Sequence, residues 1–342
     1  MIKDLKYLAA YIVPFTAFIS LYLKGPFAFT TLLFVFVCVP LLEPVLPNRE
    51  ENLDSDVAEA KSKNMFFEFV LYLNIPIVFG LLFYFLTIIN GSVYSTSEFI
   101  GMFTAVGLTM SSAGINVAHE LGHRTERIHK WLSKLLLLPS QYCHFIIEHN
   151  LGHHKNVATP DDPATARKGE ILYFFWFRSI IGTYLNAWRL EMRRLRQMDK
   201  KNNIFINQMV QFLLLQGAFI AAIAWYFSIT TMLIYLGVAL FSVLMLETIN
   251  YIEHYGLLRN KMENGRYERV RPYHSWNSNH ELGRILLYEL TRHSDHHFLA
   301  NKKYQLLDHH SNAKQLPVGY PSSMLLSMVP PLWFHIMNKR LA

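Results

Sequence analysis

Cysteine is nearly absent from this chain, and with it go disulfide frameworks and thiolate metal sites. The only two cysteines in 342 residues, Cys38 and Cys143, stand far apart and match no disulfide or zinc spacing. Cys38 lies within an apolar run and is expected to be a buried thiol. Charge is also scarce. Charged residues make up 17% of the chain, where soluble domains carry about a quarter. Hydrophobic residues reach 52% and aromatics 14%, a balance that points to lipid. The formal charge of +7 need not mean nucleic acid, and no nucleic-acid partner is expected. Basic loops beside membrane spans account for it, since such charges set topology. No internal repeat and no low-complexity linker interrupts the chain. No small-residue cleavage site follows the apolar run 5–23. Lys24-Gly25-Pro26 and a second apolar run come next, so the first run reads as a retained span and not a signal peptide.

A helix needs about 20 apolar residues to cross a bilayer. Six stretches qualify, at 5–23, 27–46, 66–89, 96–117, 204–227 and 230–252. Asn90-Gly91-Ser92 is a turn signal between the third and fourth. The short link at 228–230 makes the last two a tight hairpin. The piece 171–182, interrupted by Arg178, is too short to span and is expected at the interface. The stretch 321–337 contains Pro330-Pro331 and is expected to be interfacial or re-entrant. Segment 118–203 carries 14 Lys and Arg and the tail from 253 carries 12, whereas the loop 47–65 carries three against five acids. The positive-inside rule then places both termini, 118–203 and the tail in the cytoplasm. The expected architecture is an all-α integral membrane protein of six transmembrane helices. Its single domain, 1–342, would carry a cytoplasmic histidine-rich di-metal region built from 118–203 and 253–320.

Sixteen histidines are the other compositional anomaly, and most of them are clustered. His119 and His123 stand four apart, on one face of a helix. His149, His153 and His154 form a second cluster, and His293, His296 and His297 a third. His254 closes the sixth span. All fall at one membrane depth. A single i, i+4 pair arises by chance, and the doublet His309-His310 is assigned no role. Eight imidazoles buried together without a shared partner would leave polar groups unpaired, at about 1–3 kcal/mol each. A metal resolves this, because neutral imidazole is a strong ligand. Eight or nine exceed one ion's capacity and fit two. Spacing alone does not choose among iron, copper, nickel and zinc.

Glu120, Glu148, Glu253 and Asp295 each adjoin a candidate ligand, and Asp162 lies near the second cluster. Each could accept the second ring proton of a histidine, or bridge the metals; each could equally be surface charge near headgroups. His119-Glu120-Leu121-Gly122-His123 also matches the H-E-x-x-H of zinc proteases, but that reading leaves six clustered histidines unexplained. A metal transporter would need histidines within the spans, and these lie at their ends.

The three clusters resemble the histidine boxes of membrane fatty-acid desaturases and hydroxylases. The closer likeness is to bacterial membrane-bound alkane 1-monooxygenases, whose further signature appears here as Asn250-Tyr251-Ile252-Glu253-His254-Tyr255-Gly256-Leu257. The third box matches their pattern except for Leu290-Thr291, where Leu-Gln is usual. Asn186 to Glu191 and Ser275 to Ser278 also look familial. The likeness runs from about 60 to 310. It implies a non-haem di-iron site with His119, His123, His149, His153, His154, His254, His293, His296 and His297 as ligands. It also implies hydroxylation of a medium- or long-chain alkane at its terminal methyl by dioxygen in a bacterial inner membrane. Electrons would come from rubredoxin, reduced by an NAD(P)H-dependent reductase. The chain has no Cys-x-x-Cys, so that donor would be a separate protein, and a basic cytoplasmic face suits an acidic one. Related di-iron enzymes share the boxes: acyl desaturases, xylene-type methyl hydroxylases and fatty-acid decarboxylases.

An alkane offers no polar handle, so its affinity comes from burial, at roughly 0.8 kcal/mol per CH₂. A tunnel between spans, expected along helices 1 to 4, would deliver it endwise. No side chain needs to act as nucleophile or general base.

Overall fold

The computed structural model describes residues 2–200 and 203–341. Six helices are long and apolar enough to cross a membrane: Lys3–Leu23, Gly25–Val45, Phe66–Ile89, Thr96–Gly122, Gln208–Tyr226 and Ile229–His254, here spans 1 to 6. Span 4 is the axis of the bundle. In its apolar window 78% of residues are buried, against 17% in spans 2 and 5, whose outward faces are left for lipid. Gly101 brings span 4 against the start of span 2 so closely that a Cβ there would lie 2.7 Å from the Ala28 backbone. Small residues permit such approach where lipid supplies no hydrophobic drive.

The ends away from the histidines are tied by polar contacts. Ser95 caps span 4, its hydroxyl accepting from Glu98 N, and Glu98 returns the contact to Ser95 N. Glu98 also accepts from Gly25 N at 2.9 Å, in the turn between spans 1 and 2. Gly91 takes a φ of +73° in the turn between spans 3 and 4, a conformation that costs glycine little. The neighbouring Asn90 accepts from Thr231 at the start of span 6, 2.9 Å away.

Three features differ from expectation. Span 4 runs to Gly122, because Val117, Ala118 and Leu121 keep its buried face apolar past the point where polar residues begin. The piece expected at 171–182 is the first half of a 26-residue surface helix, Leu172–Gln197. Apolar content stops near Gly182, but a buried stripe continues through Thr183, Ala187, Glu191 and Leu195. Cys38 is exposed, on the outer face of span 2. The stretch around Pro330-Pro331 forms two short helices, Tyr320–Ser327 and Pro330–Leu341. Among the described residues the only sheet pairs Trp276–Asn277 with Lys314–Gln315 in parallel.

Candidate metal centre

Four helical elements deliver the nine clustered histidines to one place. His119 lies in the last turn of span 4 and His123 directly follows that span, after a π-helical turn over Met110–Ile115. His254 is the last residue of span 6. A short helix, Phe145–Glu148, passes into a π-helical turn, His149–His153, and then into His154–Asn156. His293–Phe298 supplies the rest.

The histidines separate into two groups whose ligand atoms lie within 4.8 Å of one another: His119, His123, His149, His154 and His296; and His153, His254, His293 and His297. The groups cut across the sequence clusters. A π-turn bonds residue i to i+5, so residues five apart share a face. His149 and His154 meet through Nε2 at 3.0 Å, and His153 turns to the other group, 3.2 Å from His297. In the third cluster the i, i+4 pair His293 and His297 stays together at 2.9 Å. His296, on the opposite side, joins His119 at 2.9 Å and His154 at 3.1 Å. His254 Nε2 lies 3.0 Å from His293 Nε2.

Hydrogen bonding among imidazoles cannot explain this arrangement. Along the path His119–His296–His154–His149 the two inner Nε2 atoms each face two partners. A neutral imidazole nitrogen either donates once or accepts once, so the path cannot be satisfied. His123 Nε2 is buried with no hydrogen-bond partner among the described residues. A cation held by all the facing lone pairs satisfies both observations. Nitrogens bound at about 2.1 Å and at right angles on one ion lie about 3.0 Å apart, the spacing seen. Burial pushes the His123 imidazole down to about 3 and holds His149, His154, His293, His296 and His297 well below the usual range. They are neutral, the form that ligates. The residues present fit two metal ions.

Of the five flanking acids, two reach the histidines. Asp162 Oδ2 accepts from His153 Nδ1 at 2.9 Å, and is itself held by Thr165 Oγ1 at 2.6 Å. Glu253 Oε2 lies 3.2 Å from His293 Nε2, and its Oε1 accepts from Tyr320 Oη at 2.8 Å. The other three make their hydrogen bonds elsewhere. Glu120 holds Arg124 at 2.7 Å and the Tyr304 amide at 3.1 Å. Glu148 accepts from Asn186 at 2.9 Å. Asp295 gathers Lys302, the Asp308 amide and His310, which gives His310 a partner away from the nine clustered histidines. Tyr320 and Asn186 carry no sequence signal for these contacts, since they lie 67 and 38 residues from their partners.

An apolar cavity ends on this centre. Val13, Val35, Val39, Leu108 and Ile249 wall it, with Leu290 and Met324 from the tail, and His119, His149, His293 and Glu253 lie at its polar end. Spans 1, 2, 4 and 6 form it. Span 3, expected in the lining, contributes nothing, because its buried face packs into the bundle core. A separate recess opens on the other side of the first group. Arg124, Lys130 and Lys134 line it beside His123 and His154.

Residues 95–322 match the family model described as fatty acid desaturase. The chain is 36% identical to alkane 1-monooxygenase 1 of Alcanivorax borkumensis, over 96% of this chain and 82% of that one. It is 37% identical to the alkane 1-monooxygenase of Ectopseudomonas oleovorans, over 91% and 77% respectively. Identity falls to 24%, over 89% and 80%, with the xylene/toluene monooxygenase hydroxylase component of Pseudomonas putida.

Proposed function

The chain belongs to the fatty acid desaturase family and, within it, to the multi-pass membrane alkane 1-monooxygenases, and on that premise we propose that it hydroxylates medium- or long-chain alkanes at the terminal methyl. One oxygen atom of dioxygen enters the C–H bond to give a primary alcohol. The other leaves as water, with two electrons and two protons consumed. The observation that carries this reading is the apolar cavity whose inner end is lined by His119, His149 and His293. An acyl desaturase would have to seat a polar headgroup, and the walls away from the histidines are almost wholly apolar. The lower identity to the xylene-type relative favours a linear alkane over an alkylbenzene.

Two iron ions are the proposed cofactor, one held by His119, His123, His149, His154 and His296, the other by His153, His254, His293 and His297. When bound they supply the reduction of dioxygen and the oxidation of the C–H bond, which no side chain here can perform. The chain's own residues do the rest. Val13, Val35, Val39 and Leu108 bind the alkane by burial, at roughly 0.8 kcal/mol per CH₂. The narrow walls orient it endwise and exclude water from the reacting methyl. Asp162 fixes the ring of His153. Tyr320 holds Glu253 with one oxygen turned toward His293, which would place a negative charge beside the group that holds the second ion.

Electrons reach the centre from reduced rubredoxin, supplied by an NAD(P)H-dependent reductase. The basic recess with His123 and His154 in its wall is the proposed docking place, since an acidic donor seated there would stand beside two ligands. The histidine side of the bundle then faces the cytoplasm, as the basic loops require, in a bacterial inner membrane.

Membranes containing the protein, with rubredoxin, reductase and NADH, are expected to convert a medium-chain alkane to the 1-alcohol. His296→Ala and His254→Ala are each expected to lose metal and activity while keeping their helical content. Desaturated lipid without any alcohol, from metal-replete protein, would overturn the substrate. Full activity in a metal-depleted His296→Ala protein would overturn the site.

A further inference from the structure

The surface helix Leu172–Gln197 buries one stripe and exposes another, and the exposed stripe changes character along its length. Phe174, Phe177, Ile181 and Leu185 stand out from the protein, the first two each 70% exposed. The same stripe continues through Arg189, Arg193 and Arg196, all exposed. Other arginines of this helix are matched with acids. Arg178 holds Glu170 through two bonds of 2.6 and 2.7 Å, and Arg194 holds Glu191 through two of 2.7 and 2.6 Å. Arg189, Arg193 and Arg196 form no ion pair or side-chain hydrogen bond among the described residues. Together with Trp188 and Met192 they line a shallow recess that contains no acid.

The helix is held against the ends of two spans. Its first turns lie beside the last two turns of span 6, where Trp176 donates to Thr248 at 3.1 Å and Phe175 packs on Tyr251. Its far end meets the beginning of span 5. There Glu191 accepts from Gln208 N at 2.7 Å, and Arg194 holds the Ile206 carbonyl just outside that span. The whole stripe therefore lies at the histidine-side ends of spans 5 and 6, the boundary where acyl chains and headgroups are both in reach.

We propose that this face binds an anionic phospholipid, with its phosphate on Arg189, Arg193 and Arg196 and its acyl chains over Leu185, Ile181 and Phe177. Guanidinium groups make forked, charge-assisted bonds to phosphate oxygens. The continuity of cationic and apolar surface along one stripe selects a lipid over an acidic protein, for which Phe174 to Leu185 would serve no purpose.

Metal-loaded, full-length protein should be exchanged into bilayer discs of phosphatidylcholine, with or without phosphatidylglycerol. Lipid retained on gentle release is then counted by native mass spectrometry. The wild type is expected to retain phosphatidylglycerol selectively. Arg189→Gln/Arg193→Gln/Arg196→Gln is expected to weaken that selectivity roughly a hundredfold, about fivefold per arginine. The corresponding triple lysine variant keeps the charge and should keep most of the selectivity. Melting curves matching the wild type would show that both variants are folded. Equal retention of the two lipids by the wild type would overturn the proposal. So would a glutamine variant with unchanged phosphatidylglycerol retention and a raised KM for the reduced electron donor, which would make the arginine stripe a protein-docking surface.

Discussion

Asp162→Asn separates the two halves of the metal centre. Asp162 Oδ1 accepts from the Ala164 amide at 3.0 Å, and Oδ2 accepts from both Thr165 Oγ1 at 2.6 Å and His153 Nδ1 at 2.9 Å. Asparagine has one acceptor oxygen and one NH₂. If the oxygen faces His153, the NH₂ meets the Ala164 N–H; if it faces Ala164, the NH₂ meets the His153 N–H. Either orientation opposes two donors, and the negative charge behind the imidazole is lost. Removing such an outer partner typically costs 10–100-fold in metal affinity, which is about 1.4–2.7 kcal/mol. His153 belongs only to the group with His254, His293 and His297. The variant is therefore expected to release one metal ion at about 10–100-fold lower chelator concentration than the other, with helical circular dichroism unchanged. Metal content during chelator titration, read by elemental mass spectrometry, measures this directly. Thr165→Val, which leaves the charge in place, should shift the curve less. A titration that superimposes on the wild type, or simultaneous release of both ions, would refute the division into two groups or the role of Asp162 in it.

Ile249 walls the cavity one turn before Glu253, so Ile249→Trp should move product chain length toward shorter alkanes without changing metal content. Gas chromatography of a mixed-alkane reaction checks this, and an unchanged profile would mean that substrate enters elsewhere. Gly152 permits close packing of the π-turn: a Cβ there would lie 2.5 Å from Glu148 Oε1 and 2.7 Å from Asn186 Nδ2. Gly152→Ala should lower thermal stability by about 1–3 kcal/mol. Gly80→Ala, with nothing within 4 Å, should be neutral or stabilising by up to about 1 kcal/mol; equal melting shifts in the two would contradict the packing. Burial pushes the Glu289 carboxyl up, but Arg284 and Arg292 outweigh it and hold it below the ordinary value, with Tyr7 Oη donating to it at 2.7 Å. Its contribution is present above about pH 4.3 and is lost as the pH falls through the depressed folded value. The melting difference between wild type and Glu289→Gln should narrow as the pH drops below about 4, and a gap independent of pH would count against an ionised Glu289.

Much of the molecule was legible in its sequence because the bilayer simplifies the code. A backbone crossing hydrocarbon must satisfy its own hydrogen bonds, so long apolar runs are helices, and all six were visible. The surface helix was read only in part. Its second half is held by a buried residue every fourth position, with arginines between, a pattern that mean hydropathy does not register. The candidate ligands were also legible, because nine imidazoles at one depth leave few alternatives to metal.

Their sorting was not. Sequence spacing places His149 and His153 together as an i, i+4 pair, but the π-turn gives His149 to one group and His153 to the other. Whether a helix tightens or widens by one residue depends on what packs around it, here Glu148 and Asn186 against Gly152. The flanking acids were equally ambiguous for the same reason. Adjacency in the chain put Glu120 and Asp295 beside ligands, yet neighbours on a helix point to different faces, so these two serve loops. Asp162, nine residues from His153, reaches it across a turn. Composition and periodicity by themselves determined that this chain is a membrane bundle with a crowded histidine face. Tertiary structure alone decided which histidines face one another, which carboxylates stand behind them and which spans enclose the cavity, because those depend on helix rotation and on contacts between residues distant in sequence.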